Sequence, residues 1–247
     1  TNGGASWSTQ TSGTSNNLYC FSATSSSVAV AVGASGTIVA TTNGGSSWST
    51  QTSGTSNNLN STFFLDADTG WAVGDSGTIL KTANGGSSWS AQTSGTSNNL
   101  NSVYFVDANT GWAVGASGTV VATTNGGASW STQTSGTTAN LTSVHFRGAT
   151  QGFAVGDAGL IIYTENGGST WSTQTSGTTA NLKSVACMGS SSGFAVGNSG
   201  TILGNSQQGG APEFSTMVLL GTTAGLLVFL FRRIQQLRPQ GIIIGGG

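Results

Sequence analysis

Few side chains between Thr1 and Gly210 are equipped for chemistry. The carboxylates are Asp66, Asp68, Asp75, Asp107, Asp157 and Glu165; beside them stand His145, Cys20, Cys187, Lys81, Lys183 and Arg147. Glycoside hydrolysis needs two carboxylates facing each other across one bond. Here Asp66 and Asp107 lie 41 residues apart, and Asp75 and Asp157 fall on a series of the same period with Ala116 and Asn198. Acids dealt out at that interval sit one to a structural unit and read as turn caps. Asp66-Ala67-Asp68-Thr69-Gly70 has the opening of a calcium loop. It lacks the third acidic position and the distal bidentate glutamate such a loop requires. One histidine with no clustered cysteines makes no zinc site, and no nucleophile elbow marks a Ser-His-Asp triad. The residues point to no catalytic site, no metal and no cofactor.

The spacing of the acids belongs to a repeat that runs through the chain. Trp7, Trp48, Trp89, Trp130 and Trp171 recur every 41 residues. So does Ala-Val-Gly, at Ala31–Gly33, Ala72–Gly74, Ala113–Gly115, Ala154–Gly156 and Ala195–Gly197; Trp71, Trp112, Phe153 and Phe194 precede the last four and Val30 the first. The unit Leu100–Gly136 predicts four strands, at Leu100–Val106, Trp112–Gly115, Thr119–Thr124 and Ser129–Thr134, separated by turns rich in Asn, Asp and Gly. Four strands in about 40 residues is the size of a propeller blade. The fold class expected is all-β, a five-bladed β-propeller over residues 1–206. Ser6–Gly13 is a fourth strand without a blade, and the last repeat, Leu182–Gly204, has three strands. The N-terminal strand is expected to complete that last blade and close the ring. In such a ring Cys20 and Cys187 sit on neighbouring first strands, three residues out of phase, about 10 Å at ~3.3 Å per residue. A disulfide across the seam needs staggered blades; two buried thiols are the other reading.

The turn segments Thr42–Trp48 and Thr124–Trp130 resemble the Asp-box (BNR) repeat, with Asn in the Asp position. The box residues are Asn2 and Trp7, Asn43 and Trp48, Asn84 and Trp89, Asn125 and Trp130, Asn166 and Trp171. Their role is structural: the Asn carbonyl bonds N–H groups across the turn, two glycines permit it, and Trp packs on the blade. The Gly-Trp-Ala-Val-Gly series at Gly70–Gly74 and Gly111–Gly115 resembles the repeats of photosystem II assembly and stability factors. The Asp-box resemblance also brings sialidases to mind, but those enzymes grip a carboxylate with an arginine cluster, and the propeller here has Arg147 alone.

Only 5% of residues are charged and the formal net charge is −1, which excludes the basic stripe that nucleic acid requires. No signal peptide is present, and the chain opens in mid-motif at Thr1-Asn2-Gly3-Gly4, by removal of a leader or by trimming. Residues 207–213 are a linker. Phe214–Phe231 then gives 18 residues without a charge, about 27 Å as a helix and enough to cross a bilayer. Glu213 precedes the span and Arg232 and Arg233 follow it, which places the tail, 232–247, in the cytoplasm and the propeller outside. Ala211-Pro212-Glu213-Phe214, the apolar span and the arginine pair resemble a PEP-CTERM or PEF-CTERM sorting tail.

The expected function is a membrane-anchored, extracytoplasmic, non-catalytic scaffold that binds subunits of a membrane complex through helix and propeller. The resemblance to photosystem assembly factors makes that complex photosynthetic. The alternative is a surface lectin or adhesin, with Asn58, Asn99, Asn140 and Asn181 holding a glycan and the faces of Trp71 and Trp112 available to stack on it, although packing between blades is the reading preferred for those two Trp.

Overall fold

In the computed structural model, residues 6–188, 192–205 and 214–216 are described. The described residues form five antiparallel four-stranded sheets, each built from strands in sequence order. The first is β1 (Leu18–Ala23), β2 (Ala29–Gly33), β3 (Ile38–Thr41) and β4 (Ser49–Gln51). The second is β5 (Leu59–Phe64), β6 (Thr69–Gly74), β7 (Ile79–Ala83) and β8 (Ser90–Gln92). The third is β9 (Leu100–Phe105), β10 (Gly111–Gly115), β11 (Val120–Thr123) and β12 (Ser131–Gln133). The fourth is β13 (Leu141–Arg147), β14 (Gln151–Gly156), β15 (Ile161–Thr164) and β16 (Ser172–Gln174). The fifth is β17 (Leu182–Met188), β18 (Ser192–Gly197), β19 (Ile202–Asn205) and β20 (Phe214–Thr216). First strands touch first strands of the neighbouring sheets, β1 to β5, β5 to β9, β9 to β13 and β13 to β17. The sheets therefore fan out from an inner edge in the manner of propeller blades.

Each joint between sheets brings a trailing face onto a leading face. Trp71, Val73 and Ile79 of the second sheet meet Leu100, Val103, Phe105, Ala113, Val121 and Trp130 of the third, all buried. The Trp71 ring lies on Phe105 with centroids 3.5 Å apart and planes 10° from parallel. Trp112 repeats the stack on Phe146 at 3.5 Å and 5°. The box tryptophans Trp130 and Trp171 stand edge-on to the same phenyl rings at 5.8 Å. Gly-Trp-Ala-Val-Gly is shaped by this joint. A Cβ on Gly111 would fall 2.5 Å from the Phe105 ring, and one on Gly115 would fall 1.9 Å from the Asn99 carbonyl oxygen. Both glycines are there because another group occupies the space of a side chain.

Side chains also stitch each sheet to the next. A bulge between Leu59 and Ser61 breaks the ladder at Asn60 and re-aims that side chain; its amide donates to the Leu100 carbonyl at 3.0 Å. Asn101 and Thr142 do the same to Leu141 and Leu182. The hydroxyls of Ser22, Ser102 and Ser143 accept from the N–H of Phe64, Val144 and Val185.

The two ends differ from the sequence expectation. Ser6–Gly13 forms no strand and does not join the fifth sheet. Its Trp7 is 92% exposed, while its Gln10 Oε1 accepts from Trp48 Nε1 at 3.0 Å on the leading face of the first sheet. The fourth place in the fifth sheet is held by Phe214–Thr216, whose partners are Leu203, Gly204 and Asn205. The joint that buries every interior face is not made between the fifth sheet and the first, so Leu18, Tyr19 and Phe21 on one side and Phe194, Val196 and Ile202 on the other are exposed. The expected ring closure through an N-terminal strand is corrected accordingly: Ser6–Gly13 is not a strand and lies against the first sheet, and among the described residues Phe214–Thr216 completes the fifth. Among the described residues no helix is long and apolar enough to cross a membrane. Phe214 begins a short strand where a membrane helix was expected. Asn2, Pro212, Glu213, Arg232 and Arg233 lie outside the described residues, as does the rest of the expected span.

Candidate binding surface

The box residues hold turns. Asn43 Oδ1 accepts from the Ser47 N–H at 3.0 Å and from Thr41 Oγ1 at 2.9 Å, and Thr41 Oγ1 accepts from the Gly45 N–H at 3.0 Å. Asn84, Asn125 and Asn166 make the same bonds to Ser88, Ser129 and Thr170. Gly126 and Gly127 follow Asn125 with φ of 68° and 90°, values that Gly adopts without strain. Trp89 packs edge-on to Phe64.

The acids hold turns as well. Asp66 Oδ1 accepts from the N–H groups of Asp68 and Thr69, and Asp107 from Asn109 and Thr110. Those backbone donors hold both carboxyls below the ordinary aspartate range. Asp75 accepts from Asn58 and Asn60, and Asp157 from Asn140.

The residues assigned to a glycan are occupied. Asn58, Asn99, Asn140 and Asn181 each accept from the N–H of a residue in the preceding sheet, namely Ser35, Ser76, Ser117 and Ala158. Those four residues have φ near 54° and need that cap. Trp71 and Trp112 are 0% and 2% exposed and stack on phenylalanines, so neither face is open to a sugar. Lys81 is likewise engaged, donating to the Gly126 carbonyl at 2.8 Å and lying over the Trp71 ring.

A group the sequence left scattered comes together on the inner strands of the second to fifth sheets. Phe63, Tyr104 and His145 form a ladder with centroids 5.1 and 4.3 Å apart. Cys187 continues it: its N–H donates to His145 Nδ1 at 3.2 Å, and its thiol donates to the His145 carbonyl at 3.4 Å. Burial raises the Cys187 thiol to about 11 and lowers the His145 imidazole below its ordinary value. The imidazole nitrogen nearest the cysteine is tied to a backbone N–H, and the thiol is protonated. This is the opposite of an activated Cys–His pair. Nearby, Tyr163 donates to Glu165 at 3.1 Å, and burial first, then that bond, pushes its hydroxyl up to about 12. Cys20 and Cys187 are both free thiols, so no disulfide crosses the seam.

The signal for this grouping was present but easily missed. His145 and Cys187 are 42 residues apart, one more than the repeat, and so are the Ser–N–H pairs that link first strands. An offset of one beyond the period marks neighbours across a joint.

The aromatic rings of this group are half-buried, and its polar atoms are already bonded to one another. The family model described as photosynthesis system II assembly factor YCF48 matches residues 2–94, 83–176 and 138–206. The chain belongs to the YCF48 family. Among solved structures, "YCF48 bound to D1 peptide" is similar at TM-score 0.65 and 18% identity, over 82% of this chain and 66% of that one. YCF48 from Cyanidioschyzon merolae gives 0.64 and 17%, over 81% and 72%. The GH74 enzyme of Niastella koreensis gives 0.62 and 16%, over 77% and 36%. The chain thus spans about two thirds of the first YCF48 structure and about a third of the enzyme. At these identities the likeness is one of fold. No curated protein matches the chain.

Proposed function

We propose that this chain is a non-catalytic, protein-binding propeller that serves the assembly of a photosynthetic membrane complex. The observation that carries the reading is the YCF48 family match from residue 2 to residue 206. Two further points support it. A YCF48 structure is described as bound to D1 peptide, and the acids and the His145–Cys187 pair of this chain are committed to internal hydrogen bonds. The inner-strand surface around Tyr104, His145 and Tyr163 offers partly exposed aromatic edges, a chemistry suited to an extended polypeptide.

We further propose that the chain is held at a membrane by the apolar residues after Thr216, with Arg232 and Arg233 on the cytoplasmic side and the sheets outside. Both parts are tested on the full chain in its native membranes. Co-purification of photosystem subunits in mild detergent, saturable binding of a labelled D1 peptide, and resistance to carbonate extraction are expected. A chain that binds no D1 peptide and brings down no photosystem subunit refutes the assembly role, whereas release by carbonate refutes only the anchor.

A further inference from the structure

Each described box turn contains the pair Asn-Gly: Asn43-Gly44, Asn84-Gly85, Asn125-Gly126 and Asn166-Gly167. The turn demands both residues. Asn125 Oδ1 accepts from the Ser129 N–H and from Thr123 Oγ1, both at 2.9 Å, and its Nδ2 donates to Ser129 Oγ at 2.8 Å. Gly126 has φ of 68°, and a Cβ there would fall 2.6 Å from the Ala108 carbonyl oxygen. Gly44, Gly85 and Gly167 are crowded in the same way, at 3.1, 3.0 and 2.8 Å from the carbonyl oxygens of Ser26, Ala67 and Ala149.

The same pair is especially prone to lose its side-chain amide. With no Cβ on the following residue, the backbone nitrogen of that residue can reach the asparagine Cγ. Once it has given up its proton it attacks Cγ, the Cγ–Nδ2 bond breaks, and the amide takes up a proton and leaves as ammonia. Water then opens the five-membered imide at one carbonyl or the other, giving aspartate or isoaspartate. All four box asparagines are exposed to solvent. Asn58, Asn99, Asn140 and Asn181 are each followed by Leu, whose side chain hinders the attack.

The folded turn restrains both partners of that step. The attacking nitrogens are already donors: the N–H groups of Gly44, Gly85, Gly126 and Gly167 bond to the carbonyls of Ser27, Asp68, Asn109 and Thr150 at 2.9, 2.9, 2.8 and 2.8 Å. The leaving amides are held as well, each donating to the hydroxyl of Ser47, Ser88, Ser129 or Thr170 at 2.8 Å. An N–H engaged with a carbonyl gives up its proton less readily, and a side chain pinned at both amide atoms does not swing onto the backbone. The step waits for the turn to open, which is a local event. The product also matters. An aspartate at position 125 keeps both bonds that Oδ1 accepts, and its second oxygen takes a bond from the Ser129 hydroxyl in place of the one Nδ2 gave. Isoaspartate carries an extra methylene in the main chain and shifts the glycine off its carbonyl partner.

We propose that these four box turns are deamidation sites gated by the opening of each turn, and that aspartate is the product the folded turn retains. Each conversion adds one negative charge to a chain whose formal net charge is −1 and of whose residues only 5% are charged. The sites together record how long each turn has stood open, and the record persists after refolding.

The test is the full chain in mild detergent, incubated in mildly alkaline buffer with and without guanidinium chloride, with Asn, Asp and isoaspartate measured at each site by peptide mass spectrometry. In denaturant the box asparagines are expected to convert at least tenfold faster than in the folded chain, while Asn99, before Leu100, stays intact in both. Thr123→Val removes the hydroxyl that serves Asn125 and Gly127. It is expected to raise conversion at Asn125 about fivefold, the factor by which loss of one hydrogen bond raises the open population, with Asn84 and Asn166 unchanged. Equal rates with and without denaturant, no conversion in either, no rise at Asn125, or a rise at every site together overturns the gating. Asn125→Asp is expected to leave the denaturant midpoint in place and Asn125→Ala to lower it. An aspartate as costly as alanine overturns the retention of the product.

Discussion

The joint between the third and fourth sheets and the bare faces of the first and fifth are written in the same repeat, yet they carry different energies. In the interior joint Trp112 is 2% exposed, lies flat on Phe146 and donates to the Gly167 carbonyl at 3.0 Å. At the end, Phe194 occupies the same position and is 47% exposed. The difference teaches that a residue in a repeat is stabilising only to the extent that its neighbour is present.

The sharpest way to break that comparison is to truncate both aromatics. Trp112→Ala is expected to cost about 3–5 kcal/mol, and Phe194→Ala under about 0.5 kcal/mol, both read from denaturant midpoints. Equal costs would mean that the end face is buried after all. Next in size are two glycines. Gly115→Ala places a methyl group against the Asn99 carbonyl and is expected to cost about 3 kcal/mol or more, whereas Gly200→Ala meets open space and bears only the positive-φ penalty of about 1 kcal/mol. Asn99→Ala removes the cap on Ser76 and is expected to cost about 1–2 kcal/mol. The smallest effects are on pH dependence. The folded His145 has a lowered pKa, so the unfolded chain takes up its proton first, and stability is lost as pH falls from the ordinary value of 6.5 toward the folded one. His145→Asn, which keeps an acceptor for the Cys187 N–H, is expected to flatten unfolding midpoints across that window. Asp107 also has a lowered folded pKa, so its support is present above 3.8 and lost as pH falls further, and Asp107→Ala is expected to weaken the dependence below pH 4.

Much of the fold was legible because Trp and Ala-Val-Gly mark the same point in every unit. The four strands expected in Leu100–Gly136 are found within about two residues at each end, as are the first three strands of the last unit. Closure was not legible. It depends on the angle between neighbouring sheets, which a period along the chain does not carry. The glycan reading failed for a related reason: an Asn repeated once per unit looks like a repeated site, but Asn58 and its equivalents spend their carbonyls on the neighbouring turn. Trp71 and Trp112 were rather expected between blades, and there they are: the phenyl rings that cover them lie 34 residues further on, in the next unit. The candidate surface was the least legible part, because His145 and Cys187 meet only through that same step across a joint.

The asparagine caps have one more consequence. Each backward-bent turn, at Ser35, Ser76, Ser117 and Ala158, is held by a side chain that does not exist until about 23 residues later. No unit can therefore finish folding before its successor has been made. During synthesis the native structure must lag the growing chain by part of a unit, like a zipper whose slider trails the hand.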